Sequence, residues 1–173
     1  MIAPPPLDGA PASRENAVMI ELRQAASAAE IEQVRGLLRE YQRWVDEPCC
    51  FASFERELAG LPGEYAPPSG RLLLASEAGI PAGCVALRRL DAATGEMKRL
   101  YVRPVFRGRG LGRRLAEAAI VAAREAGYAS LMLDTLPRMI SAIALYRELA
   151  FAPRGPYAAD PTPGALFFER SLQ

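Results

Sequence analysis

Residues 96–112 read EMKRLYVRPVFRGRGLG, and the order of residue types in this stretch decides the fold. Leu100, Tyr101 and Val102 suit a strand, and Pro104 disfavours its continuation. Arg107-Gly108-Arg109-Gly110-Leu111-Gly112 is then a turn rich in glycine and arginine, and an amphipathic segment follows from Arg113. Glycines allow positive φ angles and close approach to a ligand, and the first N–H groups of a helix have no partners within it. A strand feeding such a turn makes an anion cradle, reinforced by the helix dipole and by Arg103, Arg107, Arg109, Arg113 and Arg114. A pyrophosphate would suit it.

Downstream, Arg113 to about Ala126 carries Leu115, Ala118, Ala119, Ala122 and Ala126 on one helical face, and Gly127 stops it. Ser130–Leu133 is a short buried strand, so strand, helix and strand in this order predict a parallel crossover. A helix is expected from about Met139 to Leu149, and Leu166–Arg170 closes the sheet. Upstream, Arg71–Ser76 and Gly83–Leu90 are strands joined by a hairpin-like turn at Glu77–Pro81, and a second turn at Asp91–Gly95 completes an antiparallel meander. Three prolines and two glycines make Leu61–Gly70 a loop, either a plain connector or a substrate-contacting loop carrying Glu64 and Tyr65.

Before it, Val18–Leu22 reads as a first strand. Ser27 caps a helix from Ala28 to about Val45, on which Ile31, Val34, Leu37, Leu38, Tyr41 and Trp44 or Val45 form a stripe. Asp46-Glu47-Pro48 ends that helix, and Ser53 caps another to Ala59. The fold class is α+β with a mixed sheet. Residues 1–17, with four prolines in the first eleven positions, read as a disordered tail, and residues 18–173 as one domain.

The 21 basic and 20 acidic residues leave a net charge of +1, which offers no global attraction for nucleic acid. There is no histidine, so nucleophiles relying on a histidine base and histidine-ligated metal sites are excluded. The adjacent Cys49 and Cys50 and the distant Cys84 make neither a metal motif nor a disulfide framework, which points to a reducing, cytoplasmic compartment. No apolar run reaches the roughly 18 residues that span a bilayer, and residues 1–16 do not resemble a secretory signal. A P-loop is excluded because no Gly-Lys-Ser/Thr follows the glycines.

Arg107-Gly108-Arg109-Gly110-Leu111-Gly112, between a strand and a helix, resembles the Gln/Arg-x-x-Gly-x-Gly/Ala motif of the GCN5-related N-acetyltransferases (GNATs). Ala142-Ile143-Ala144-Leu145-Tyr146 through Ala150-Phe151 is similar to that family's later A-I-x-L-Y…G-F segment. The resemblance covers Val18 to Leu172. It implies a mixed, mostly antiparallel sheet with a splayed parallel strand pair, flanked by helices.

It also implies acetyl-CoA as cosubstrate. The turn from Arg107 through Gly112, helped by Arg103 and Arg113, would wrap the pyrophosphate, with Arg107, Gly108, Arg109, Gly110, Leu111 and Gly112 as the binding residues. The main chain at Leu100 and Val102 would line the pantetheine arm, with Asp134-Thr135 at the end of the splayed partner strand. An N–H at Leu100 or Tyr101 would hold the oxyanion. An amine with a pKa of about 10.4 must lose a proton before it attacks, and the family's strand glutamate falls on Glu96. By strand alternation Glu96 shares a face with Lys98, so it is either the base or a structural ion-pair partner. The departing thiolate would take a proton from Tyr146. Met139 stands where the family often has asparagine, and Ala150 where it has glycine.

The function expected is transfer of acetyl to a primary amine of a small molecule or peptide by direct attack in a ternary complex, without a metal. The alternative is a non-catalytic acyl-CoA-binding or regulatory module. A homodimer stays open. Acceptor choice should come from the first two helices, the Leu61–Gly70 loop and the Gly155–Pro163 loop, with Glu47, Glu64 and Asp160 as possible seats for a cationic amine.

Overall fold

In the computed structural model, which describes residues 19–46, 53–159 and 161–173, the strand preceding Pro104 lies at the centre of a seven-stranded sheet. The strands are β1 (Ile20–Gln24), β2 (Arg71–Glu77), β3 (Ile80–Arg89), β4 (Thr94–Val102), β5 (Ser130–Thr135), β6 (Ala152–Arg154) and β7 (Leu166–Ser171). Their order is β1-β2-β3-β4-β5-β7-β6, and every pairing is antiparallel except β4 with β5. The meander and the parallel crossover therefore form as the sequence predicts. Val18, the 1–17 tail, Glu47, Pro48, Cys49, Cys50 and Asp160 lie outside the described residues.

Period-two alternation lets the sheet bury both faces. Leu72 and Leu74 pack into one cluster with Val34, Leu37 and Leu38 of α1 (Ala28–Val45) and with Phe54 and Leu58 of α2 (Phe54–Ala59). Leu73 and Ala75, on the other face, join a second cluster with α3 (Leu111–Glu125) and α4 (Ile140–Glu148). Val34, Leu37 and Leu38 are wholly buried, each contributing about 1.5–3 kcal/mol. Ser27 caps α1 through a complete capping box with Glu30.

Several boundaries differ from the expectation. The β2–β3 turn shrinks to Ala78 and Gly79, both at positive φ (49° and 78°), the geometry of a tight hairpin, so β3 begins at Ile80 and includes Pro81. Helix α3 starts at Leu111, because Gly110 is its N-cap at φ 74°. Its buried face also takes Ala116, Ile120 and Ala123, while Ala118 is only half-buried. Ser53 precedes α2, but its side chain makes no cap hydrogen bond. The Leu61–Gly70 loop contains a single 3-10 turn, Gly63–Tyr65, whose Tyr65 is buried. The three-residue β6, interrupted by Pro153, gave no period to read.

Candidate active site

Strands β4 and β5 pair only at Thr94–Ser130, Gly95–Leu131 and Glu96–Met132, and then part. Beyond Glu96, β4 continues along β3, but its register shifts, with two residues facing Val85. Arg99 sits in this bulge at φ 59°. The parted strands open onto a cavity of about 710 Å³ that holds Leu100, Tyr101 and Val102, most of the glycine turn, Asp134, Thr135 and Tyr146.

Alternation along β4 decides which main-chain groups face the opening. The Arg103 N–H donates to Ala82 on β3 at 2.9 Å, so Tyr101 also turns its groups toward β3, and Leu100 and Val102 turn theirs to the open side. The Val102 carbonyl accordingly accepts from Arg107 Nε at 2.8 Å. Of the two N–H groups considered for an oxyanion, Leu100 is the one on the open side.

The chain then turns through Gly108 and Gly110, at φ 75° and 74°, into α3. A Cβ at either glycine would meet nothing within 4 Å, so it is backbone conformation and open space, not crowding, that suits glycine there. The first intrahelical bond to this end is Arg114 N–H to the Gly110 carbonyl, which leaves the N–H groups before Arg114 free of helical partners.

The arginines divide. Arg107 lines the cavity with its guanidinium 4.7 Å from the Trp44 ring, and Arg113 lines it while pairing with Glu148. Arg109 turns away to pair with Glu77 and is not part of the cavity wall. Arg103 likewise faces elsewhere, clasping Glu40 on α1 at 2.9 and 2.7 Å. Both departures have one cause: each cation has a carboxylate within reach on the side away from the cavity.

Tyr146 lines the cavity from α4, its ring packed edge-on to Phe151 at 5.9 Å. Burial, with Tyr41 and Asp134 adding to it, pushes its hydroxyl far above the usual tyrosine range, so it stays a proton donor.

Glu96 is placed differently from Tyr146. It is buried in the paired part of β4 and is not a wall of the cavity. Arg88 Nε donates to it at 2.6 Å, the Tyr157 hydroxyl at 2.8 Å and Lys98 Nζ at 3.3 Å. Burial raises its carboxyl, but the charges of Lys98 and Arg88 and these hydrogen bonds outweigh burial and hold it below the usual carboxylate range. Of the two roles left open for Glu96, this geometry supplies the ion pair.

Around the rest of the cavity stand residues that the sequence did not single out for binding: Tyr41 and Trp44 on α1, Arg99 in the bulge and Arg138 before α4. Tyr41 packs 5.5 Å from Tyr101, and Arg99 is tied to Glu57 at 2.9 and 2.5 Å. The stripe on α1 offered the one available signal, since Tyr41 and Trp44 lie at its C-terminal end. Glu64 is outside the cavity and pairs with Arg88 at 2.9 Å. The Gly155–Pro163 loop does reach the site, with Thr162 in the wall and Tyr157 on Glu96.

The chain is 35% identical over 145 residues to an uncharacterised N-acetyltransferase of Schizosaccharomyces pombe, covering 83% of this chain and 89% of that protein. An acetyltransferase of Streptococcus agalactiae shares the fold with a TM-score of 0.76 at 19% identity, covering 88% of this chain and 98% of its own. YncA of Salmonella typhimurium, solved with its cofactor acetyl-CoA, does so with a TM-score of 0.63 at 18% identity, over 90% and 95%. The family model described as Acetyltransferase (GNAT) family matches residues 31–151, a span running from α1 past α4 and taking in both walls of the cleft, and the chain belongs to that family of acetyltransferases.

Proposed function

We propose that this protein moves an acetyl group from acetyl-CoA to a primary amine of a small molecule or peptide, by direct attack in a ternary complex. One observation carries the reading: the open edge of β4 at Leu100 and Val102 and, beyond the turn at Pro104–Phe106, the start of α3 with its N–H groups free of helical partners line one cavity, which also holds Tyr146. An extended amide-bearing arm ending in a pyrophosphate needs an unpaired strand edge followed by an anion cradle. The acetyl-CoA bound by YncA, a protein of the same fold, supports that cosubstrate.

In this reading Arg107 and Arg113 add charge to the cradle formed by Gly108 through Gly112. The amine loses a proton to water and attacks in its neutral form, the Leu100 N–H polarises the acetyl carbonyl, and as the intermediate collapses the nitrogen releases its second proton to water while Tyr146 gives its own to the departing sulfur and regains one from solvent. Glu96, read from the sequence as either the base or an ion-pair partner of Lys98, affects the cleft through Lys98, whose ammonium it holds at 3.3 Å.

The test is calorimetry with CoA together with free-thiol release from acetyl-CoA across primary amines: phenethylamine, glycinamide, spermidine and a lysine-bearing peptide. Micromolar CoA binding and amine-dependent thiol release are expected. CoA binding without thiol release from any amine would make the chain a binding module, and absence of CoA binding would end the reading altogether.

A further inference from the structure

Resting on that reading, we infer that Asp134, on the parted end of β5, seats the ammonium of the acceptor, and that the acceptor is a monoamine whose remainder is neutral or anionic. Among the described residues lining the cavity, Asp134 is the one acidic side chain, sharing the wall with Lys98, Arg99, Arg107, Arg113 and Arg138. A cationic amine entering this space has a single carboxylate to meet. A second ammonium on the same molecule would have none and would lie among like charges, which selects against polyamines.

The residues behind Asp134 prepare it for this use. Its Oδ1 lies 3.2 Å from Lys98 Nζ, and that ammonium is also 3.3 Å from Glu96 Oε1. Glu96 in turn has Arg88 at 2.6 Å, and Tyr157 anchors it from the β6–β7 loop. Lys98 thus keeps a buried carboxylate partner when Asp134 turns to the substrate, and an incoming ammonium does not strand a charge. The Asp134 side chain is 29% exposed, against 3% for Glu96. Position agrees with charge: Asp134 lies two residues past Met132, the last β5 residue paired with β4, where the strand edge faces the gap. Its charge also reaches Tyr146, placing the seat near the proton donor.

The experiment compares wild type with Asp134→Asn and Asp134→Glu, using phenethylamine, glycinamide and spermidine as acceptors and CoA calorimetry as the control on folding and cofactor binding. Wild type should prefer phenethylamine or glycinamide to spermidine in kcat/KM by about tenfold or more. Asp134→Asn should raise the amine KM about tenfold to a hundredfold, the range for one lost charge-assisted hydrogen bond, with CoA affinity within about twofold of wild type. Asp134→Glu should recover part of the loss. An unchanged amine KM in Asp134→Asn, or a preference for spermidine, overturns the inference. If wild type binds CoA but releases no thiol, saturation-transfer NMR of phenethylamine on the CoA complex decides, and a signal that is absent or indifferent to Asp134→Asn overturns it. Failure to bind CoA brings down this inference and the proposed function together, whereas the other outcomes leave the cofactor reading standing.

Discussion

At one end of the cleft, the consecutive residues Arg107 to Gly112 would supply the proposed cradle mainly from their own main chain. At the other end, Lys98, Asp134, Arg99 and Tyr146 come from two strands and a helix, and their side chains are positioned by partners far away in sequence. Lys98 meets Asp134 across 36 residues, and Arg99 meets Glu57 across 42. A site made of backbone depends on the φ angles of a few glycines. A site made of side chains depends on a chain of ion pairs, each link of which fails if its partner is removed.

The largest effect should follow from cutting the link that holds the most buried cation among the described ion pairs. Arg99 sits in the β4 bulge with its side chain 10% exposed, and the Glu57 carboxylate that neutralises it is 17% exposed. Glu57→Ala takes the carboxylate away from a guanidinium buried in the bulge, and should cost about 3–5 kcal/mol in denaturant unfolding. A loss below about 1 kcal/mol would mean that the bulge does not rely on the pair. The pH dependence has a definite sign. Burial raises the Glu57 carboxyl, but the hydrogen bonds and charge of Arg99 outweigh it and lower its pKa from 4.5. A depressed acid contributes stability above its unfolded pKa and loses it as pH falls through the folded one. Wild type should therefore lose stability on acidification below about pH 4.5, and Glu57→Gln should lose less over the same window.

Tyr146→Phe comes next. Removing a general acid lowers turnover by about a hundredfold, and because the hydroxyl contributes nothing to the phosphate cradle, CoA affinity should not change. A variant that loses CoA affinity instead would assign Tyr146 to binding. The pushed-up pKa of this hydroxyl also means that wild-type turnover should show no alkaline fall attributable to Tyr146.

This division explains what could be read from the sequence. The glycine turn, its strand and its helix are local, so their order in the chain is their order in space, and Tyr146 came with a motif on its own helix. The sheet topology was equally legible, because short turns force the meander and a strand-helix-strand unit forces the crossover. The directions of the arginines were not, since Arg109 and Arg103 follow Glu77 and Glu40, which the sequence does not mark as neighbours. Nor was the Glu96 environment, for two of its three donors lie on other strands or loops, at Arg88 and Tyr157. The resemblance set Asp134 at the end of the splayed partner strand, but nothing in the sequence marks Lys98, with Glu96 behind it, as its neighbour.

Glycine substitutions in the cradle separate conformation from space. Gly110→Ala places a side chain at φ 74° with nothing within 4 Å, so its cost is backbone strain, about 1–2 kcal/mol of stability. Gly112→Ala adds a Cβ at an ordinary contact of 3.9 Å from Leu145, without a positive φ, and should leave stability within about 0.5 kcal/mol. Any fall in CoA affinity for Gly112→Ala then reports close approach of the ligand. Equal stability losses in the two variants would break the assignment of Gly110 as a conformational requirement.

The smallest effect is the most discriminating test of the cradle. Arg107 and Arg109 look interchangeable in the sequence, two arginines beside alternate glycines, but only Arg107 lines the cavity. Arg107 has its guanidinium over Trp44 and its Nε on the Val102 carbonyl, both contacts a phosphate can replace. Arg109 is committed to Glu77, an exposed pair whose loss matters little. Arg107→Ala should weaken CoA binding about tenfold, while Arg109→Ala should stay within about twofold. The same two variants titrated with 3′-dephospho-CoA should keep that ranking if Arg107 meets the pyrophosphate, and lose it if Arg107 instead meets the 3′-phosphate. An Arg109→Ala defect equal to that of Arg107→Ala would show that the Glu77 pair opens when the ligand arrives, making the cradle depend on side chains after all.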